Sequence, residues 1–415
     1  MRAELDRATI PGPTLADFQA ARERIAAVVE TTPMEKSRYL SGIAGTTVYL
    51  KAENLQRTGS YKIRGAYNRL SQLTPEERAH GVVASSAGNH AQGVALAARE
   101  LGIKATIFMP MGVALPKLQA TRGYGADVVL HGDIFDETNA AAREFAATTG
   151  GVFIPPFDHP DVVAGQGTVG LEILEQVPDV ATVIVPIGGG GLISGIASAL
   201  AQAAPDRDIR VIGVQAKNAA PYPGSLDAGE IRPVVLGPTI ADGIAVAKPG
   251  ELNFEIISRT VDAVVTVSDD DIARALVILL ERAKLVVEPA GAAGVAALLT
   301  GAVTALGPTV VLLSGGNIDP MVMERVISRG LAADHRYLKV QIPLPDRPGQ
   351  LARIAEIISD ANANVVEVLH TRHGSGFEIN EVGIDIHMET RGPEHAELVL
   401  ARLREAGYRP HIGES

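Results

Sequence analysis

The stretch Val183-Ile184-Val185-Pro186-Ile187-Gly188-Gly189-Gly190-Gly191-Leu192 decides the fold. Its strand, Val183–Pro186, is an apolar run without alternation, the pattern of a strand covered on both faces. Four glycines follow, and a helical pattern opens at Leu192 and runs to Ala203. A buried strand that passes through a tight turn into a helix is the opening half of a parallel βα unit. The same order recurs on either side. Strands are expected at Thr47–Leu50, Val82–Ala84, Thr106–Met109, Val128–Leu130, Val211–Gln215, Val264–Val267 and Val310–Leu313. Amphipathic helices fit Ala91–Leu101, Phe135–Thr148, Asp271–Lys284 and Pro289–Leu299. A first helix reads over Thr14–Glu30, with Thr14 as cap and Asp17 at the capping-box position. The fold class is α/β with parallel sheets, and ligands are expected where strands end in glycine-rich turns.

The pattern changes after a helix that ends near Arg329. Leu331–Arg336 reads as a linker between a first domain, residues 1–330, and a compact unit at 337–415. That unit runs strand (Tyr337–Ile342), turn (Pro345–Gly349), helix (Leu351–Ala361) and strand (Asn364–Thr371). A hairpin loop at Gly374 and Gly376, a strand (Ile379–Met388), a helix (Pro393–Ala406) and a short strand complete it. The order βαββαβ is ferredoxin-like.

Composition removes whole classes of chemistry. The chain has 415 residues, enough for about two to three domains. It has no cysteine, which excludes thiolate catalysis, disulfides and iron–sulfur clusters and suits a reducing compartment. A net charge of −11 argues against a nucleic-acid surface. No apolar run reaches the roughly 18 residues of a membrane span, and Met1–Asp6 lacks the apolar core of a signal peptide. A soluble, cytoplasmic protein is expected. The ten histidines form no metal-ligand spacing. His370 and His373 fit a polar surface better than a metal site. The acidic run Asp269-Asp270-Asp271 reads as an N-cap cluster.

The strand-end loops carry the candidate chemistry. Gly188–Gly191 leave backbone N–H groups free to converge on an anion at a helix N-terminus. The loop has neither the G-x-G-x-x-G spacing of a dinucleotide fold nor a Gly-Lys dipeptide, which leaves a single phosphate against a purely structural turn. In Gly59-Ser60-Tyr61-Lys62 the lysine enters the first turn of a helix, where the dipole opposes a cation. It is either a solvated surface lysine or an amine kept neutral as a nucleophile toward a carbonyl. Ser85-Ser86-Ala87-Gly88-Asn89-His90 offers hydroxyl, amide and N–H donors suited to a carboxylate, or ordinary helix capping. Ser314, in Ser314-Gly315-Gly316-Asn317, is a strand-end donor or a turn residue. Together these describe a lysine, a phosphate cradle, a carboxylate clamp and a neutral hydroxyl, a set that suits pyridoxal 5′-phosphate.

The run Lys51–Ala66, the segment Ser86–Gly93, the tetraglycine loop, Val287-Glu288-Pro289-Ala290-Gly291-Ala292 and Ser314–Asn317 resemble the threonine dehydratase (threonine ammonia-lyase) family. This is a branch of the two-lobed fold-type II enzymes that use pyridoxal 5′-phosphate. The resemblance spans about residues 14–330, with a smaller lobe at about 52–158. It implies that Lys62 carries the cofactor as an imine and later moves the Cα proton. Asn89 would bond the ring hydroxyl, Gly188, Gly189, Gly190, Gly191 and Leu192 would hold the phosphate, and Ser314 would face the ring nitrogen. Tyr61 stands where the family usually has Phe, and Glu288 lies near the ring. Ser85, Ser86, Ala87, Gly88, Asn89 and His90 would grip the substrate carboxylate. Ser86 would donate a proton to the face opposite Lys62.

The tail resembles an ACT regulatory domain, a fold that binds an amino acid between two copies. That implies an effector near Asp346, Arg347, Pro348 and Gly349, and a homodimer or homotetramer. Serine racemases share the lysine and the Ser-x-Gly-Asn-His pattern. Their cation site, however, has no carboxylates at the matching Gln215–Pro221 here, and hard cations need charged oxygens. No metal is expected there. A non-catalytic amino-acid sensor is the reading from another class, and Lys62 with its cradle argues against it.

Overall fold

The structure is a computed structural model, and it describes residues 10–333, 335–371 and 381–413. Met1–Asp6, Gly374, Gly376 and His373 lie outside them. The chain divides into two compact units, Met1–Pro320 and Met321–Ser415.

The first unit holds ten strands: β1 (Met34–Lys36), β2 (Val48–Lys51), β3 (Val82–Ser85), β4 (Ala105–Met109), β5 (Asp127–Leu130), β6 (Val152–Phe153), β7 (Thr182–Pro186), β8 (Arg210–Ala216), β9 (Ala263–Val267) and β10 (Thr309–Leu312). They form two sheets. The larger runs β1-β2-β10-β7-β8-β9 and the smaller β5-β4-β3-β6. Every pairing is parallel except that of β1 with β2. The strand Val183–Pro186 is wholly buried, with Val183, Ile184 and Val185 at 0% exposure, as its unbroken apolar run requires. Because the strands are parallel, the loops leaving β2, β7, β8 and β10 emerge at one edge of the large sheet.

Local chemistry explains several element ends. Thr14 and Asp17 form a reciprocal capping box on the helix Leu15–Ile25. That helix is shorter than expected. Gln56 clasps the backbone of Glu30 through both ends of its amide, which engages both polar groups of that residue outside a helix. Before Asp269–Ile278 the cap is Ser268, with Asp271 completing the box, while Asp269 braces Thr239 and Ile240. The helix expected to reach Lys284 gives way to a π-helical turn at Leu279–Ala283.

In the second unit, the helix Pro320–Ala333 runs through the first three residues of the expected linker. The strands β11 (Tyr337–Pro345), β12 (Asn364–Thr371), β13 (Glu381–Glu389) and β14 (His411–Ile412) form an antiparallel sheet in the order β12-β13-β11-β14. Gln350–Asp360 and Pro393–Glu405 supply its two helices, giving the βαββαβ order. Leu338, Val340, Ile342 and Leu344 alternate into a core with Ile354, Ile358, Val399 and Leu403. The turn at 345–349 is exposed, and Gly349, at φ 91°, opens the helix Gln350–Asp360 without a side-chain cap.

Candidate active site

Lys62 is the first residue of the helix Lys62–Ser71. Its Nζ donates to the Pro156 carbonyl at 2.9 Å and lies 5.3 Å from the centre of the half-buried Tyr61 ring. Burial lowers its pKa from 10.5 to about 8, with the charge of Glu288 opposing. Desolvation penalises the ammonium, so a larger share of the amine is neutral at physiological pH. The helix is positioned closely. A Cβ at Gly93 would lie 3.1 Å from the Lys62 backbone, so glycine lets the helix Asn89–Glu100 approach closely here.

From Lys62 the contacts close into a ring. Pro156 leads to Phe157, whose ring and backbone occupy the space that Cβ atoms on Gly189 and Gly191 would need. Gly190 has φ 104°, a backbone conformation that disfavours a Cβ, and Tyr222 Oη fills the space beside it. Tyr222 Oη donates to the Gly189 carbonyl at 3.0 Å. Gly188 abuts Ile244, and Gly243 abuts Glu288. Glu288 Oε1 accepts from Asn89 Nδ2 at 2.7 Å, and Asn89 Oδ1 accepts from Asn317 Nδ2 at 2.8 Å. Asn317 Nδ2 also donates to the Thr58 carbonyl. Gly316 N–H donates to the Gly59 carbonyl, and Tyr61 N–H donates to Ser314, which is 4% exposed. Lys62 follows Tyr61, and the circuit is complete.

Four helices point their N-termini into this ring: Lys62–Ser71, Asn89–Glu100, Gly191–Ala203 and Pro289–Leu299. None has a side-chain cap, whereas Thr14, Ser37, Thr74 and Ser268 cap helices elsewhere. The first N–H groups of a helix have no partner within it. Uncapped ends also occur elsewhere, at Leu115–Gly123 and Gln350–Asp360 among others, but here they meet around Lys62, where their dipoles favour an anionic ligand. The capping alternative for the serine loop does not hold. Ser86 Oγ accepts from Gly88 N–H, ahead of the helix, and leaves the helix end open.

The expected clamp residues divide. Ser86, Ala87, Gly88 and Asn89 are half-buried and line the ring. Ser85 Oγ is buried with no hydrogen-bond partner among the described residues. The His90 ring is engaged with the Ile154 carbonyl at 3.0 Å, so only its backbone serves the loop. Burial, together with the Lys62 charge, lowers its pKa to about 3 and keeps the ring neutral. Glu288 is 6% exposed. Burial and the Asp242 charge raise its pKa from 4.5 to about 7, with the Asn89 hydrogen bond opposing.

Sequence reasoning missed a buried charge network behind the Lys62 helix. Arg64 is fully buried, and its Nε and Nη2 both donate to Glu53 at 2.8 Å. Its Nη1 donates to Glu172 at 2.6 Å, and Lys51 Nζ donates to Glu172 at 2.5 Å. The two positive and two negative side chains tie β2, the Lys62 helix and the helix Pro160–Gln176 together. Lys51, Glu53 and Arg64 stood in the recognised motif, but nothing marked Glu172.

The donor set fits a phosphorylated aldehyde: an amine of lowered pKa, a cradle of glycines under an uncapped helix, and an amide beside a carboxyl. The fold and site define an α/β enzyme with two mainly parallel sheets. The chain belongs to the pyridoxal-phosphate dependent enzymes, whose family model matches residues 25–315, and an ACT domain model matches residues 340–407. Its cofactor is pyridoxal 5′-phosphate. It is 46% identical to an L-threonine ammonia-lyase of Thermotoga maritima over 96% of this chain and 99% of that protein. Among solved structures, the processed form of threonine deaminase isoform 2 from Solanum lycopersicum is 37% identical, with a TM-score of 0.71 over 77% of this chain and 95% of that one. Maize serine racemase is 34% identical, with a TM-score of 0.71 over 78% and 99%.

Proposed function

We propose that this chain is an L-threonine ammonia-lyase that converts L-threonine to 2-oxobutanoate and ammonia, and L-serine to pyruvate. The observation that carries this reading is the near end-to-end similarity, through both domains, to an L-threonine ammonia-lyase. Pyridoxal 5′-phosphate, when bound, delocalises negative charge from the substrate Cα. The chain's own residues do the rest. The N–H groups of residues 87, 89 and 90 and the dipole of the helix Asn89–Glu100 orient the substrate carboxylate, since those of Ser86 and Gly88 already bond to the Phe108 carbonyl and Ser86 Oγ. Lys62 Nζ, whose pKa burial lowers to about 8, takes the Cα proton in its neutral form. Ser86 serves the opposite face as proton donor. The N–H groups at 188–192 would hold the phosphate, and Asn89 would hold the ring oxygen. Ser314 gives the ring nitrogen a neutral partner. A neutral partner at that nitrogen would favour prompt loss of the β-hydroxyl, which would leave as water with a proton from the chain's own donors. Hydrolysis of the resulting enamine releases ammonia and the 2-oxo acid.

The racemase reading draws on maize serine racemase as a structural neighbour. Against it, Gln215 at the matching strand end is an amide. Its Oε1 accepts from Tyr222 N–H at 3.0 Å, and no carboxylate stands between Gln215 and Pro221 to serve a hard cation. Chiral chromatography after incubation with L-serine separates the readings. Pyruvate should outpace D-serine, and the reverse order would overturn the lyase.

Among the described residues no helix is long and apolar enough to cross a membrane. The lyase acts as a cytoplasmic homodimer or homotetramer, in isoleucine synthesis or threonine breakdown. Its ACT unit binds an amino-acid effector near Asp346, Arg347, Pro348 and Gly349. Coupling between such sites is of order 1–3 kcal/mol, roughly 5- to 150-fold in affinity. Deleting residues after about 335 should leave turnover of threonine but abolish its response to branched-chain amino acids. Steady-state rates with and without valine or isoleucine test this, and an unchanged response in the truncated protein would refute the role.

A further inference from the structure

We infer that Asn317 is a positioning residue that fixes which end of the Asn89 amide faces the cofactor, an inference that rests on the reading of Asn89 given above. The two ends of an asparagine amide have almost the same shape, so its orientation is decided by hydrogen-bond partners. Here the choice begins at a group that has none to make. The Thr58 carbonyl only accepts, so Asn317 must turn its NH2 toward it, at 2.7 Å. The same NH2 is 2.8 Å from Asn89 Oδ1. Both of its hydrogens are then used, and Asn89 must offer oxygen on that side. The Asn89 NH2 is thereby forced to the other side, where one hydrogen meets Glu288 Oε1 at 2.7 Å. The second hydrogen remains for the cofactor's ring oxygen.

The surrounding backbone is built to admit this chain of amides. Gly59 has φ 70°, and a Cβ there would fall on the Asn317 amide. A Cβ on Gly315 would fall on Glu288 Oε1 and lie 3.0 Å from Asn89 Nδ2. Two glycines thus clear the space at the two ends of the relay. Asn317 itself is half-buried, and its loop is pinned by the Gly316 N–H to the Gly59 carbonyl at 2.8 Å.

The consequence is electronic. An N–H donor beside the ring oxygen favours its anionic form, whereas a carbonyl there favours the protonated one. These two forms absorb at long and short wavelength respectively.

The test uses the full-length holoenzyme, with the absorption spectrum and pyridoxal 5′-phosphate affinity as readouts. In Asn317→Asp the carboxylate accepts from Asn89 and turns the amide over. The bound cofactor should shift from the long- to the short-wavelength band, and its affinity should fall about tenfold. Asn317→Ala removes the donor without imposing the flip, so both bands should coexist. It carries the test if the Asp variant does not fold. A merely structural role would lower Tm in both variants and leave the band ratio of the bound cofactor as in the wild type. That result, with a normal wild-type band, overturns this inference alone. A wild-type protein that forms no borohydride-trappable adduct at Lys62 overturns both the inference and the reading beneath it.

Discussion

Lys62→Ala is expected to lower turnover of threonine by about 10²–10⁴-fold, the range of a lost general base. The purified variant should also lose the long-wavelength colour, and borohydride should leave no cofactor mass on the peptide that carries position 62. The physical case is that this amine is set apart from ordinary lysines. It begins a helix, where the dipole disfavours a cation. Its Nζ contacts the Pro156 carbonyl, and burial brings its pKa from 10.5 to about 8. A lowered pKa means that deprotonation occurs at lower pH. Condensation with an aldehyde requires the free lone pair. The rate at which apoenzyme takes up pyridoxal 5′-phosphate should therefore rise with pH and level off above about 8. Stopped-flow absorbance across that range measures it. A rate still climbing near 10.5 would show that the site leaves the amine as it is in water.

Arg64→Met should cause the larger loss of stability. One guanidinium serves Glu53 and Glu172, and all three groups are buried. Removing one partner from a buried ion pair leaves the other charge uncompensated, at about 3–5 kcal/mol. Urea unfolding, followed by a probe in the catalytic unit, reads it as a lower midpoint. The pH dependence gives a sign that simple loss of packing does not. Burial by itself raises the Glu53 carboxyl, but the charge and hydrogen bonds of Arg64 outweigh it and hold the pKa below 4.5. A depressed folded-state pKa contributes stability above the unfolded value, and this is lost as pH falls through the folded one. In Arg64→Met that contribution is gone, and burial is opposed only by the Lys51 charge and the Thr32 hydrogen bond. The variant's deficit should shrink as pH falls through the carboxylate range. A deficit that stays constant would assign the effect to packing.

The two sheets were legible to different degrees for a physical reason. Strands such as Val183–Pro186 and Val310–Leu312 are apolar on both faces, and that burial is written into each residue. By contrast β1, Met34–Lys36, is a polar antiparallel edge, and β6, Val152–Phe153, has two residues. Neither is long enough to show a period. Among the site loops, glycine runs and Lys62 stand out because backbone freedom and a misplaced charge are properties of single positions. The engagement of His90 with Ile154 and the relay from Asn89 to Asn317, 228 residues away, have no local mark.

What the order of amino acids determined was the α/β class of the first unit, the βαββαβ order of the tail and which loops carry the candidate chemistry. Each of these follows from periodicity, a missing Cβ or a motif of neighbouring residues. The closed ring about Lys62, the neutral network of Lys51, Glu53, Arg64 and Glu172, and the orientation of Asn89 needed the folded chain. Burial, pairing and the direction of a hydrogen bond depend on groups that only folding brings within a few ångströms of one another.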